Sequence, residues 1–179
     1  MRNRNQSLLK AAAFVAALVI APAPLIAATT TITGAGAIAP ALQFSNPVNL
    51  DFGELVITTA GSAGSIVLDP ATGVGALTNA SQVGTAARGS IDLTGRRGVA
   101  VNFTVVAAPL ACDVAYIGAC TGTPTLTLAN DFVGQISNTN CPGGGIRCTD
   151  TLHVGGTFAF AGTEEGRWTS TLTLTANYQ

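Results

Sequence analysis

Trp168-Thr169-Ser170-Thr171-Leu172-Thr173-Leu174-Thr175-Ala176-Asn177-Tyr178 ends one residue short of the last position of a 179-residue chain. Successive side chains of an extended backbone point to opposite faces. Trp168, Leu172, Leu174, Ala176 and Tyr178 therefore share one side, and Thr169, Thr171, Thr173, Thr175 and Asn177 the other. Such a strand covers a core with one face and meets water with the other. The same period returns upstream in Val99, Val101, Phe103 and Val105, in Leu126 and Leu128, and in Phe158 and Phe160. No useful length beyond residue 28 carries the three-to-four-residue apolar period of a helix. Between the alternating runs lie turn sequences such as Asp69-Pro70-Ala71-Thr72-Gly73, Cys141-Pro142-Gly143-Gly144-Gly145 and Thr163-Glu164-Glu165-Gly166, with the chemistry tight turns require. The pattern predicts an all-β fold, a sandwich or a barrel, with strands near 41–45, 49–58, 64–69, 74–79, 88–94, 98–107, 125–130, 132–137, 151–160 and 167–178.

At the other end, Arg2, Arg4 and Lys10 precede an apolar run from Ala11 to Ile20, followed by Ala-Pro-Ala-Pro. This is the layout of a secretory signal peptide, too short to span a bilayer and interrupted by Pro22 and Pro24. Cleavage is expected after Ala28, which gives a signal peptide over 1–28, an extension over 29–40 and one domain over 41–179. The protein is expected in the periplasm, at the cell surface or outside the cell, with no membrane attachment after cleavage. The exported part holds five arginines against nine carboxylates, a net charge of −4, and no dense basic run. Nucleic acid and anionic membranes are poor partners for such a surface. With 47% apolar and 9% charged residues, intrinsic disorder is excluded as well.

Cys112, Cys120, Cys141 and Cys148 all fall in the exported part, where oxidation is permitted. Three pairings of four cysteines exist. Cys112 with Cys120 and Cys141 with Cys148 is favoured, because each pair brackets a turn-rich stretch. There is no Cys-x-x-Cys spacing, and His153 is the one histidine, so zinc has little support.

Catalytic motifs fare no better, and neither a catalytic residue, a metal nor a cofactor is expected. Gly34-x-Gly36-x-x-Ala39 matches a dinucleotide fingerprint only as a string, because Pro40 and a β pattern replace the required helix. Asp51-Phe52-Gly53 stands without the other kinase elements and reads as a glycine turn or bulge. His153 lacks a second histidine and a nucleophile elbow, and reads as an ordinary strand residue. Glu164 and Glu165 belong to a solvated turn. Asp69, Asp131 and Asp150 fall near loops, where calcium is conceivable, although no repeat spacing supports it.

Gly166 stands fourteenth from the end and Tyr178 second, joined by the alternating strand. This pairing resembles the carboxy-terminal motif of chaperone-usher pilus subunits. The resemblance implies an immunoglobulin-like sandwich that lacks its last strand and is completed by the amino-terminal extension of another subunit. It assigns Gly166, Trp168, Leu172, Leu174 and Tyr178 to the accepting strand. A matching donor is expected in residues 29–39, where Thr30, Ile32, Gly34, Gly36 and Ile38 share one face before Pro40 interrupts it. Leu50-Asp51-Phe52-Gly53-Glu54-Leu55, Gly64-Ser65-Ile66-Val67-Leu68-Asp69-Pro70 and the Leu174–Tyr178 ending resemble, over 41–179, the secreted bacterial family called domain of unknown function 4402, itself similar to pilins and spore coat protein U domains. That resemblance implies a small exported β-sandwich and no reaction. The expected function is a structural subunit of a fimbria-like surface polymer, partnered by copies of itself or related subunits and by a periplasmic chaperone. The alternative is a monomeric surface or periplasmic module that binds carbohydrate or protein through residues 108–124 and 138–150.

Overall fold

The structure, a computed structural model, describes residues 38–137 and 140–179. Its strands are β1 (Gln43–Val48), β2 (Glu54–Ile57), β3 (Gly64–Leu68), β4 (Gly75–Thr78), β5 (Ala80–Val83), β6 (Gly89–Arg96), β7 (Val101–Ala107), β8 (Ala111–Cys112), β9 (Thr125–Asn130), β10 (Arg147–Phe160), β11 (Trp168–Thr169) and β12 (Leu172–Tyr178). A single helical turn, α1 (Val114–Ile117), follows β8. All ladders between these strands are antiparallel. The largest sheet runs β1-β6-β10-β3-β4 with β9 also on β10, and β7–β12, β8–β11 and β2–β5 form pairs. The chain is thus an all-β sandwich.

β10 organises the molecule because it changes partners along its length. Residues 147–154 pair with β6, residues 156–160 with β3, and residues 154–159 with β9. The change falls at Gly155 and Gly156. A Cβ on Gly155 would lie 2.1 Å from the Leu68 carbonyl oxygen, and one on Gly156 2.1 Å from that of Thr127. Only residues without a side chain let the three backbones converge there.

Alternation decides what is buried. Ile91 and Leu93 of β6 and Cys148 and Leu152 of β10 pack in one cluster with Val101, Phe103 and Val105 of β7 and Leu174, Ala176 and Tyr178 of β12. Ile136 fills the centre of this cluster and is fully buried. β1 lies at the edge, where Pro47, which has no N–H to give, is tolerated beside a bulge between Ser45 and Val48. Phe44 of β1 meets Phe103 edge-on, ring centres 6.2 Å apart.

Three expected strands differ. Residues 49–58 reduce to β2, because the Asp51 carboxylate accepts the Gly53 N–H at 2.8 Å and turns the chain. Residues 132–137 form a connector instead of a strand: Asn130 and Asp131 side chains capture the N–H groups of Phe132 and His153, competing with a ladder. The connector still ties the layers, through an isolated bridge from Gln135 to Ala100 of the turn before β7 and bonds from Ser137 to Asp150 of β10. The terminal run 167–178 is broken at Ser170 and Thr171. There the Ser170 hydroxyl donates to the Ala108 carbonyl at 2.6 Å, so Trp168 belongs to β11 and not to the strand that carries Tyr178. The unforeseen β5 follows a tight corner at Asn79, whose φ is +50°.

Candidate functional site

The sandwich closes at one pole and gapes towards the other. At the closed pole Tyr178 crosses the end of the core. Its hydroxyl accepts the Arg96 N–H at 2.7 Å and donates to the Pro40 carbonyl at 2.8 Å. Gly95 makes this passage possible: a Cβ there would stand 2.5 Å from Leu42, 2.6 Å from Ile136 and 2.7 Å from the tyrosine oxygen. The Cys141–Cys148 disulfide lies at this pole, Cys148 fully buried and opposite Gly95.

Towards the other pole a groove of about 1160 Å3 opens between residues 47–57 on one side and 164–174 on the other. Ile91, Leu126, Val154, Phe158 and Phe160 make its floor, and Leu172 and Leu174 of β12 one wall. Phe52 faces Phe158 with ring centres 5.8 Å apart. The volume exceeds the roughly 300–1,000 Å3 of clefts that hold a small molecule. Among the described residues β12 pairs with β7 alone, so a strand edge borders an apolar floor, the setting in which an added strand gains both main-chain bonds and side-chain burial.

The end of the groove is braced by the Cys112–Cys120 disulfide. Trp168 pairs with Cys112, the Asp113 N–H donates to the Arg167 carbonyl at 2.8 Å, and the Arg167 guanidinium stands 3.7 Å from the Asp113 carboxylate and 5.1 Å from the Tyr116 ring centre. Gly166 has φ +142°, and a Cβ there would lie 2.6 Å from Cys120 Sγ. Both signposts of the terminal motif thus have a steric origin: Gly166 passes against one disulfide, and Tyr178 passes over Gly95. Glu164 folds its carboxylate back onto the N–H groups of Ala161, Gly162 and Thr163 at 2.9–3.0 Å. These bonds, that of Ala161 first, hold its pKa below the ordinary value.

The structure thus brings Gly166, Trp168, Leu172 and Leu174 to the groove and places Tyr178 at the opposite pole. Thr30, Ile32, Gly34 and Gly36 lie outside the described residues. Ile38 lies within them and is 93% exposed. The two disulfide loops occupy opposite ends of the β7–β12 ladder, one beyond Ala107 and the other beside Arg96, and form no common surface.

The polar residues singled out in the sequence serve local structure. His153 Nδ1 lies 2.7 Å from Asp131 Oδ2, which fastens the connector to β10. Asp150 accepts from the Ser137 N–H and hydroxyl, and Asp69 from the N–H groups of Ala71 and Thr72. Among the described residues no group of three His, Cys, Asp or Glu side chains is placed to hold a metal. Nor is any helix there long and apolar enough to cross a membrane. Sequence reading missed Gly95, whose signal is a glycine within an otherwise regular alternation in β6, and the residues that line the groove, which tertiary packing brings together.

No curated protein and no solved structure matches the chain. A family model does, over residues 42–178, covering the groove, both disulfides and Tyr178. The chain belongs to the family described as Domain of unknown function (DUF4402).

Proposed function

We propose that the protein is an exported structural subunit of a fimbria-like surface polymer, an immunoglobulin-like, pilin-like sandwich assembled by β-strand addition. The observation that carries this reading is the long groove beside β12, whose floor of Ile91, Leu126, Val154, Phe158 and Phe160 is apolar and which a strand edge borders. A donor strand with isoleucines at alternate positions gains about 1.5–3 kcal/mol for each one buried and roughly 0.5–1.5 kcal/mol net for each main-chain bond. The extension 29–39 has that pattern in Ile32 and Ile38. The two disulfides agree with passage to an oxidising compartment, the role assigned to residues 1–28, and a periplasmic chaperone would occupy the groove before assembly. Deleting residues 29–39 is expected to abolish polymer, seen by electron microscopy and size-exclusion chromatography of the exported protein. Polymer unchanged by the deletion would contradict the proposal.

A second reading rests on the groove's end, where Tyr116, 60% exposed, and Trp168 stand beside Arg167. Aromatic faces with a neighbouring polar group also suit a sugar or a peptide. Binding on a glycan array, lost in Tyr116→Ala with polymer intact, would favour it.

A further inference from the structure

We propose that the outer face of the β1-β6-β10 sheet at the closed pole binds an acidic polysaccharide, Arg96 and Arg147 taking a uronate carboxylate and the threonines beside them the sugar hydroxyls. This site is separate from the groove and does not depend on strand addition. Beyond residue 28 the chain has five arginines and no lysine against nine carboxylates. Two of the five are engaged within the fold: Arg88 donates to the carbonyls of Pro70 and Ala71, and Arg167 stands beside Asp113. The other three gather in one place. Arg96 and Arg147 lie directly opposite each other across the β6–β10 ladder, with Arg97 next in the turn, and none of them has an ion pair among the described residues. Like charges directly opposite on a ladder repel. An anion held between the two guanidinium groups removes that cost and gains charge-assisted hydrogen bonds.

The backbone under these side chains is pinned, which lowers the ordering cost of binding. The Arg96 N–H donates to the Tyr178 hydroxyl at 2.7 Å, the Arg97 N–H to the Ile146 carbonyl at 3.0 Å, and Arg147 precedes the fully buried Cys148 of the Cys141–Cys148 disulfide. The Arg147 guanidinium donates to the side-chain oxygen of Gln43 on β1, so it reaches across β6, the strand that carries Arg96. In the next row of the same face Thr94 stands opposite Thr149, their hydroxyls 2.7 Å apart. Two hydroxyls that share one hydrogen bond leave one O–H proton to donate. A guanidinium fork matches a carboxylate, and the hydroxyl row beside it matches the hydroxyls of a sugar. Arg96 and Arg147 line neither the groove nor the smaller hollow beside Asp131, and an open sheet surface suits a polymer lying across it better than an enclosed small molecule. Along this face β6 continues with Asp92 and Ser90 and β10 with Thr151 and His153, which give nucleic-acid bases no phenyl, phenol or indole ring to stack on. Asp92 stands four residues from Arg96, about 13 Å at a strand's rise. Hydrogen bonds from Thr151 and Asn46 hold its carboxyl below the ordinary pKa, and its charge opposes an unbroken row of phosphates more than carboxylates spaced by sugars.

The test is binding of the oxidised exported protein to immobilised alginate, a polyuronate, by biolayer interferometry. Carboxyl-reduced alginate, which keeps the sugar chain without its charge, and single-stranded DNA run beside it. Alginate is expected to bind, more weakly as salt is added, and the reduced polymer is expected not to bind. The paired variant Arg96→Gln with Arg147→Gln is expected to weaken alginate binding by about tenfold or more without lowering the melting temperature, because it removes a like-charge pair. No binding to alginate at low salt, equal binding to the reduced polymer, or an unchanged affinity in the folded paired variant would overturn the proposal. DNA bound as tightly as alginate would overturn the polysaccharide assignment in favour of a general polyanion site. The reduced-polymer and DNA arms use the unaltered protein and decide the matter if the paired variant fails to fold.

Discussion

The two halves of this sandwich use the same alternating strands and end differently. Around the closed pole, Leu93, Ile136 and Cys148 are fully buried, and a tyrosine joins three segments across the end. Around the open pole Leu172 of β12 lies outside this cluster, half-buried and beside a groove of about 1160 Å3. The strand content is alike; what differs is whether an extra segment covers the core. At the closed pole the connector 131–137 and Tyr178 cover it. At the open pole the described chain supplies no such cover, and the disulfide loop 112–120 braces a wall instead of filling the gap. The open half still buries Ile66 and Leu68 fully; on the reading proposed above, close packing holds the free domain together and the gap beside β12 is where it binds.

Substitutions in the two halves should separate these roles. Leu93→Ala at the closed pole removes a fully buried side chain and should cost about 2–5 kcal/mol, read as a large fall in the urea midpoint. Gly95→Ala pushes a methyl against Leu42, Ile136 and Tyr178 and should cost about 1–3 kcal/mol, with crowding that a volume-reducing Ile136→Val partly relieves. Tyr178→Phe leaves the Arg96 N–H and the Pro40 carbonyl without their partner and should cost about 1–2 kcal/mol. At the open pole, Leu172→Ala should change the free protein by less than about 1 kcal/mol yet weaken strand uptake clearly. A stability loss at Leu172 as large as at Leu93 would erase the contrast between the halves.

The smallest effect concerns acid. The folded pKa of Glu164 is depressed, so its carboxylate stabilises the turn fully above its unfolded value, near 4.5, and loses that contribution as the pH falls through the folded value. Hydrogen-exchange protection factors at Ala161, Gly162 and Thr163, corrected for the intrinsic pH dependence of exchange, should fall on acidification below that range while that of the Leu93 amide holds. Glu164→Gln should remove the pH dependence.

Much of the fold could be read from period-two alternation: β3, β6, β7, β9 and most of β12 fall where Ile66, Leu93, Val101, Leu126 and Leu174 require them. The disulfide pairing followed from short, turn-rich spacing. Where side chains outbid the ladder the sequence misled, as at Asp51, Asn130, Asp131 and Ser170, whose oxygens capture nearby backbone groups. The groove was expected only from the resemblance of the chain ends, since its lining residues are far apart in the sequence and meet through tertiary packing. The function of Gly95 was invisible for a related reason: its role is set by Tyr178, 83 residues away.

The most direct measurement is a thermal melt of oxidised residues 41–179 with increasing amounts of a synthetic peptide covering residues 29–40. A groove that lacks a strand predicts a melting temperature that climbs with peptide concentration, as mass action requires of a ligand bound by the folded state alone, and that Leu172→Ala blunts. A cooperative melt indifferent to the peptide at every concentration would mean that the sandwich is complete without a donor, and would contradict strand addition.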